Sequence, residues 1–304
     1  MLSLGVDIGG SHISAGIFNH NDRKLIPQSL CYTKINSQAP KEEILESWSQ
    51  TMQSSLKTID ALVEGVGLAM PGPFDYFQGI SKIRDLNKLQ SLYDVNLRSE
   101  LSSRLKIEPS KIRFINDAAA FLIAEAQVGL ASQYDRVVAI TLGTGLGAGF
   151  SIQARPIVQG DNVPQGGFLY NQYHNDILAD ELFSTRGLVN AYFKKTGVTI
   201  HNAKTLSEYA QNQEPEALQV FLDFGKDLGE FLKPYLRSFE AESLVLGGNI
   251  SKAFPFFESS LKTELDFLNS IYVSNLGEEA AIIGSALLLQ EEFYVSMEET
   301  LKLM

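Results

Sequence analysis

The chain has 304 residues, with 36 acidic against 25 basic side chains and a formal net charge of −11. Hydrophobic residues make up 44% and charged ones 20%, which is too apolar for disorder and enough for about two ordinary domain cores. The acidic excess argues against a nucleic-acid partner, because phosphate contacts need clustered Lys and Arg. No run of about 18 apolar residues supports a membrane span, and the N-terminus lacks the basic and apolar regions of a signal peptide. A single cysteine, Cys31, excludes an intrachain disulfide and a zinc site built on several thiolates, and fits a reducing, cytoplasmic compartment. In Leu30-Cys31-Tyr32 it reads as a small buried hydrophobe.

Residues 2–18 (LSLGVDIGGSHISAGIF) run apolar, turn at Gly-Gly and run apolar again, which predicts a β-hairpin. A stripe of Ile44, Leu45, Trp48, Met52, Leu56 and Ile59 predicts a helix over 41–59. Leu62 to Ala69 reads as a strand ending at Pro71-Gly72-Pro73. Ile112 to Ile115 is a short strand, and a buried helix follows from Ala118 to Val128. Residues 137–152 (VVAITLGTGLGAGFSI) repeat the hairpin pattern of the N-terminus. Helical patterns then cover about 177–195, 215–238, 252–268 and 278–293, with a strand from Ser243 to Leu246 that meets Gly247-Gly248. Interleaved strands and helices mean an α/β protein with mixed sheets, and two like hairpins, each opening about half of the chain, suggest a duplicated architecture.

Three glycine-rich turns follow apolar runs: Gly9-Gly10-Ser11, Gly143-Thr144-Gly145-Leu146-Gly147 and Gly247-Gly248-Asn249. Glycine lets backbone amides approach an anion with no β-carbon in the way. Glycine at a hairpin tip also serves simply to reach positive φ. No GxxxxGK[ST] is present, so a P-loop is out. The first two turns lead into a second strand rather than a helix, which contradicts a dinucleotide-binding βαβ unit. The third leads into a helix from about Ser251, whose N-terminus favours an anion.

Asp7 stands two residues before Gly9. Beside a phosphate-binding turn, a carboxylate implies an intervening cation, here Mg²⁺ held through water. The alternative is an Asx-type residue capping the turn. In Phe114-Ile115-Asn116-Asp117-Ala118, a polar pair precedes a very apolar helix. It reads either as an N-cap or as a general base, Asp117, with Asn116 binding the same polyol.

Taken together these residues resemble the ROK family of bacterial sugar kinases and repressors. The similar segments are Leu4-Gly5-Val6-Asp7-Ile8-Gly9-Gly10-Ser11, Ala69-Met70-Pro71-Gly72-Pro73-Phe74-Asp75, Asn116-Asp117-Ala118, Thr141 to Gly147, and Leu246-Gly247-Gly248-Asn249-Ile250. The resemblance implies the two-domain actin-like (ribonuclease H-like) fold, with mixed sheets and an interdomain cleft that closes over ATP and a sugar. Its domains would be 1–117 plus a returning 281–304, and 118–280. It implies phosphate binding at Gly9, Gly10, Ser11, Gly143, Thr144, Gly145, Gly247, Gly248 and Asn249. It further implies Mg²⁺ at Asp7 and Asp117 as base for a sugar hydroxyl, commonly the 6-OH of a hexose. Asn87 resembles the family's sugar-contacting asparagine, and members are often homodimers or homotetramers.

Where the family carries Gly-Glu-x-Gly-His, this chain reads Gly166-Gly167-Phe168-Leu169-Tyr170. The sugar-binding glutamate appears as Gly167 and the histidine as Tyr170. The family's zinc-binding cysteines are absent too, so no zinc site is expected. His174 could substitute for the histidine or be a bystander. Glu181 resembles a sugar-reaching glutamate, or else forms a solvated salt bridge with Arg186. A catalytically inactive sugar- or nucleotide-binding descendant is the rival reading. A DNA-binding repressor is not expected, since the first strand begins by Leu4 and leaves no room for a helix-turn-helix.

Overall fold

The computed structural model describes residues 1–84 and 88–304. Asn87, expected to contact the sugar, lies outside the described residues. The chain divides into two compact units: Met1–Ala124 with Glu278–Met304, and Glu125–Gly277.

The first unit contains β1 (Leu2–Ile8), β2 (His12–Asn19), β3 (Lys24–Leu25), β4 (Cys31–Lys34), α1 (Lys41–Leu56), β5 (Val66–Met70), β6 (Phe74–Asp75), β7 (Ile80–Ser81), α2 (Leu97–Leu105), β8 (Ile112–Asn116) and most of α3 (Asp117–Gln127). Its main sheet runs β3-β2-β1-β5-β8, and β4 also pairs with β2. β1 and β2 form the antiparallel hairpin that the sequence predicts, while β1, β5 and β8 are mutually parallel. The second unit contains β9 (Arg136–Leu142), β10 (Leu146–Ile152), β11 (Arg155–Pro156), β12 (Tyr173–His174), β13 (Ile177–Leu178), α4 (Ala179–Leu182), α5 (Thr185–Thr196), α6 (Ala203–Gln211), α7 (Pro215–Phe239), β14 (Ser243–Gly247), α8 (Phe254–Glu264) and β15 (Ile271–Val273). Its sheet, β11-β10-β9-β14-β15, repeats the plan: an antiparallel hairpin, β9–β10, flanked by the parallel strands β14 and β15. The α/β class and its mixed sheets are therefore borne out.

The C-terminal segment, α9 (Ala280–Leu287) and α10 (Glu291–Leu303), belongs to the first unit. α9 is buried along almost its whole length. It lies so close to the sheet that a β-carbon on Gly5 would stand 1.9 Å from the Ile282 carbonyl oxygen, and one on Gly67 1.8 Å from that of Ser285. The Ser285 hydroxyl accepts a hydrogen bond from the Val6 amide at 3.1 Å. In the second unit Gly225 and Gly229 do the same for α7 against α8, where a β-carbon would stand 2.5 Å from the Phe257 oxygen and 2.5 Å from Glu264 Cβ. A core rich in phenylalanine, with Phe150, Phe183, Phe221, Phe239 and Phe257 fully buried, fills that unit.

Several expected elements are redrawn. The helical pattern over 278–293 is two helices, because the Arg113 guanidinium donates to the Leu288 carbonyl at 2.6 Å, satisfies the end of α9 and pairs with Glu291 at the start of α10. The pattern over 177–195 is a strand end, a single turn (α4) and then α5. The third glycine turn enters a 3-10 turn, Asn249–Ala253, before α8 begins. Serine-rich α2 and polar α6 escape the periodicity and start from asparagine caps, Asn96 to the Ser99 amide and Asn202 to the Thr205 amide. Cys31 is only partly buried, because β4 pairs with β2 on one side alone.

Candidate active site

In the first unit, β1, β5 and β8 run parallel, so their C-terminal ends share one edge of the sheet. That edge carries Asp7 at the end of β1 and Gly9-Gly10 after it, Pro71-Gly72-Pro73 after β5, and Asn116-Asp117 at and after β8. In open α/β sheets this is where ligands bind. The second unit places Gly143-Thr144-Gly145 after β9 and Gly248-Asn249 after β14, the corresponding ends of its own parallel pair. All five glycine and carboxylate segments thus occupy equivalent positions within their units, although they are scattered over about 240 residues of sequence.

The Asn116-Asp117 pair divides its labour. The Asn116 side-chain oxygen accepts from the Ala118 and Ala119 amides at 3.0 and 3.2 Å, and its amide donates to the Tyr76 hydroxyl at 3.2 Å. Tyr76 in turn donates to the Met70 carbonyl. Asn116 is therefore the cap of α3. Asp117 accepts from the Ala118 amide through Oδ1 at 2.9 Å, and no side chain among the described residues donates a hydrogen bond to its carboxylate. The Asp117 side chain is reachable by solvent but hemmed in by protein. That desolvation, reinforced by the Asp7 carboxylate and partly offset by the Ala118 amide and Lys88, lifts its pKa to about 6. A carboxyl poised near neutrality can take a proton and later return it.

Asp7 pairs with His12, Nε2 lying 3.9 Å from Oδ2, an ion-pair distance rather than a hydrogen bond. The same aspartate raises the His12 pKa. His12 stacks on Tyr32, with ring centroids 5.6 Å apart, and presses on the first turn: a β-carbon on Gly9 would meet its ring at 2.7 Å. Gly10 and Ser11 are exposed, and Lys88 lies beside Gly10. His12 and Lys88 are not legible in the sequence as site residues, because neither sits in a pattern of its own.

The glycines of the first two turns are not there for positive φ. Gly9, Gly10, Gly143 and Gly145 all lie outside that region, and only Gly248 adopts it, at φ 80°. A β-carbon on Gly145 would stand 2.7 Å from Asp180 Oδ1, and one on Gly248 2.3 Å from the Leu142 carbonyl oxygen, whereas one on Gly143 would meet nothing within 4 Å. Neither conformation nor the protein's own packing asks for glycine at 143.

The segment expected to depart from the family, 166–170, has a distinctive backbone. Gly166 and Gly167 have φ of 74° and 69°, where a glutamate would be strained. Tyr170 is exposed and packs against Phe168. His174 lies against Phe183 and Phe231 and faces Glu230 at 4.0 Å. With Asp227 and Glu230 it forms the one group among the described residues whose metal-ligating atoms fall within 4.8 Å of one another. Lys226 supplies a countercharge there, 3.7 Å from Glu230. Glu181 is exposed and pairs with Arg186 at 3.0 Å. On Asn249, Oδ1 accepts from Lys252.

The ROK family profile matches residues 3–292. The chain belongs to the ROK family. A glucokinase of Thermotoga maritima is 25% identical to it over 317 residues, spanning 95% of this chain and 97% of the relative. An N-acetyl-D-glucosamine kinase of Haemophilus influenzae is 25% identical over 282 residues, 84% of this chain and 86% of the relative. Among solved structures, a ROK family glucokinase from Streptomyces griseus in complex with glucose and AMPPNP superposes with a TM-score of 0.74. It is 21% identical, with 96% of this chain and all of that one covered. No helix among the described residues is long and apolar enough to cross a membrane.

Proposed function

We propose that this chain is an ATP-dependent sugar kinase, phosphorylating the 6-OH of a hexose or hexose derivative with Asp117 as general base. The observation that carries this reading is the Asp117 carboxyl, free of side-chain donors among the described residues, held at a pKa of about 6, and set on the same sheet edge as Asp7 and Gly9-Gly10. The ROK kinases that this chain resembles, and the nucleotide analogue bound to the Streptomyces relative, support it.

In this mechanism Asp117 accepts the hydroxyl proton while the sugar oxygen bonds to the γ-phosphorus. The bond from that phosphorus to the β–γ bridging oxygen breaks, and ADP leaves. Asn116 holds the first turn of α3, and so fixes the base. The turns Gly9-Gly10-Ser11, Gly143-Thr144-Gly145 and Gly247-Gly248-Asn249 bind the phosphates through their uncommitted amides, the Gly9 and Gly143 amides being used on the His12 and Gly145 carbonyls. Asp7 fits a hard cation of the Mg²⁺ type, held through water, because its carboxylate is paired only loosely with His12; that ion would neutralise phosphate charge.

The two compact units are the functional domains in this reading, and the enzyme works in the cytoplasm as a homodimer or homotetramer. A cysteine-based zinc site forms no part of it, with Cys31 the sole thiol and located in β4. Gly167 and Tyr170 remove two hydroxyl contacts usual in the family, which points to a substrate other than plain glucose. His174, Glu181 and Asn87 are the candidates for the remaining sugar contacts. ADP release with ATP and Mg²⁺, measured across hexoses, hexosamines, N-acetylhexosamines and polyols, tests the proposal. Turnover on one class establishes the kinase and names that class. ADP binding without turnover on any of them replaces it with a non-catalytic binding protein.

A further inference from the structure

The second glycine turn is held from one side by the start of α5 and by α4. The Gly143 carbonyl accepts two hydrogen bonds from one residue: the Thr185 amide at 2.8 Å and the Thr185 hydroxyl at 3.0 Å. The Thr144 carbonyl accepts from Arg186 Nη1 at 3.1 Å. The Leu146 amide donates to Asp180 Oδ1 at 2.8 Å, and Arg186 holds the other Asp180 oxygen at 2.6 Å. The Gly143 amide is used within the turn, on the Gly145 carbonyl.

This arrangement has a chemical consequence. A phosphate is repelled by carbonyl oxygens and attracted by amides, so a phosphate turn works only if its carbonyls are turned away and occupied. Here two successive carbonyls are occupied by donors from Thr185 and Arg186. Among the described residues the Thr144 and Gly145 amides are the donors left uncommitted. The Thr185 amide is one of the orphan donors at a helix start, so the helix gains a partner from the same bond. Arg186 does not act here as a bare cation, because Asp180 and Glu181 at 2.6 and 3.0 Å consume its charge.

We propose that Thr185, Arg186 and Asp180 are positioning residues for nucleotide phosphate: they lock the Gly143–Gly147 turn with its carbonyls occupied and its amides available. The proposal rests on the kinase reading only in taking that turn as a phosphate site.

The test is calorimetric titration of the full chain with ADP and Mg²⁺, alongside hydrogen exchange of the 143–147 amides. Thr185→Val is expected to weaken ADP by tenfold or more, to speed exchange in the turn and to raise KM for ATP while KM for the sugar stays put. Thr185→Ser, which keeps the hydroxyl, restores all three; Arg186→Ala and Asp180→Asn give smaller losses of the same kind. ADP affinity within twofold of wild type in a folded Thr185→Val protein overturns the proposal. Should Thr185→Val fail to fold, wild-type ADP affinity and turn exchange in Asp180→Asn overturn it instead. Wild-type protein that binds no ADP also overturns it, whereas wild-type ADP binding without sugar-dependent turnover, lost in Thr185→Val, removes the kinase reading and leaves the positioning role standing.

Discussion

The negative charge of Asp7 helps keep a proton on Asp117, 110 residues further along the chain, because the parallel strands β1 and β8 end on one edge of one sheet. Desolvation does most of the work, and Asp7 adds to it. The pair makes Asp117 a carboxyl that titrates near neutrality, and its pH dependence is open to direct measurement.

Asp117 must be deprotonated to accept the hydroxyl proton. With a folded pKa of about 6, kcat/KM is expected to rise with pH through that value and to fall about tenfold per unit below pH 5. A profile flat from pH 5 to 8 would falsify the base assignment. Asp117→Asn should lower kcat by 10² or more, in line with general-base losses of about 10²–10⁴, with ADP affinity nearly intact. A variant that retains more than a few per cent of kcat removes Asp117 from that role.

The same shift has a cost in stability, with a definite sign. The folded pKa of about 6 exceeds the ordinary 3.8, so the folded state holds the extra proton between these values. The contribution to stability is present below pH 3.8 and is lost as pH rises through 6. Asp117→Asn should thus be more stable than wild type at pH 8, by about 1 kcal/mol once solvent access to the carboxyl is allowed for, and should lose this advantage by pH 4. Chemical denaturation at the two pH values checks this.

Two glycines should respond to alanine in opposite ways. A β-carbon on Gly284 would stand 1.8 Å from the Ala120 carbonyl oxygen, so Gly284→Ala should cost about 3 kcal/mol or prevent folding. On Gly143 the same atom meets nothing within 4 Å, so Gly143→Ala should melt within about 2 °C of wild type and raise KM for ATP tenfold or more. A Gly143→Ala protein with unaltered nucleotide affinity would mean that no phosphate approaches this turn.

The Ser184 hydroxyl, at the start of α5, is fully buried with no hydrogen-bond partner among the described residues. An unsatisfied buried hydroxyl contributes no bond to lose, so Ser184→Ala should be neutral or stabilising by about 0.5 kcal/mol in urea denaturation. A loss above about 1 kcal/mol would show that the hydroxyl has a partner, such as an ordered water.

The sequence by itself determined the two hairpins, the α/β class and the five ordered segments that end parallel strands. Each of these is written in alternation of apolar residues, in glycine and proline punctuation, or in short runs of fixed residue type, all of which are local. It also carried the expectation of a departure from the family at Gly167 and Tyr170. The tertiary structure alone decided which member of a polar pair does what: Asn116 is consumed by the α3 cap and Asp117 is left with an acceptor oxygen, although adjacent letters look alike in either role. It alone decided that Thr185 and Arg186 grip a turn about 40 residues before them, that His12 faces Asp7, and that Arg113 ends α9 175 residues later. These contacts depend on strand order and register, which bring distant residues together by burying apolar faces and leave no periodic mark on the residues that meet.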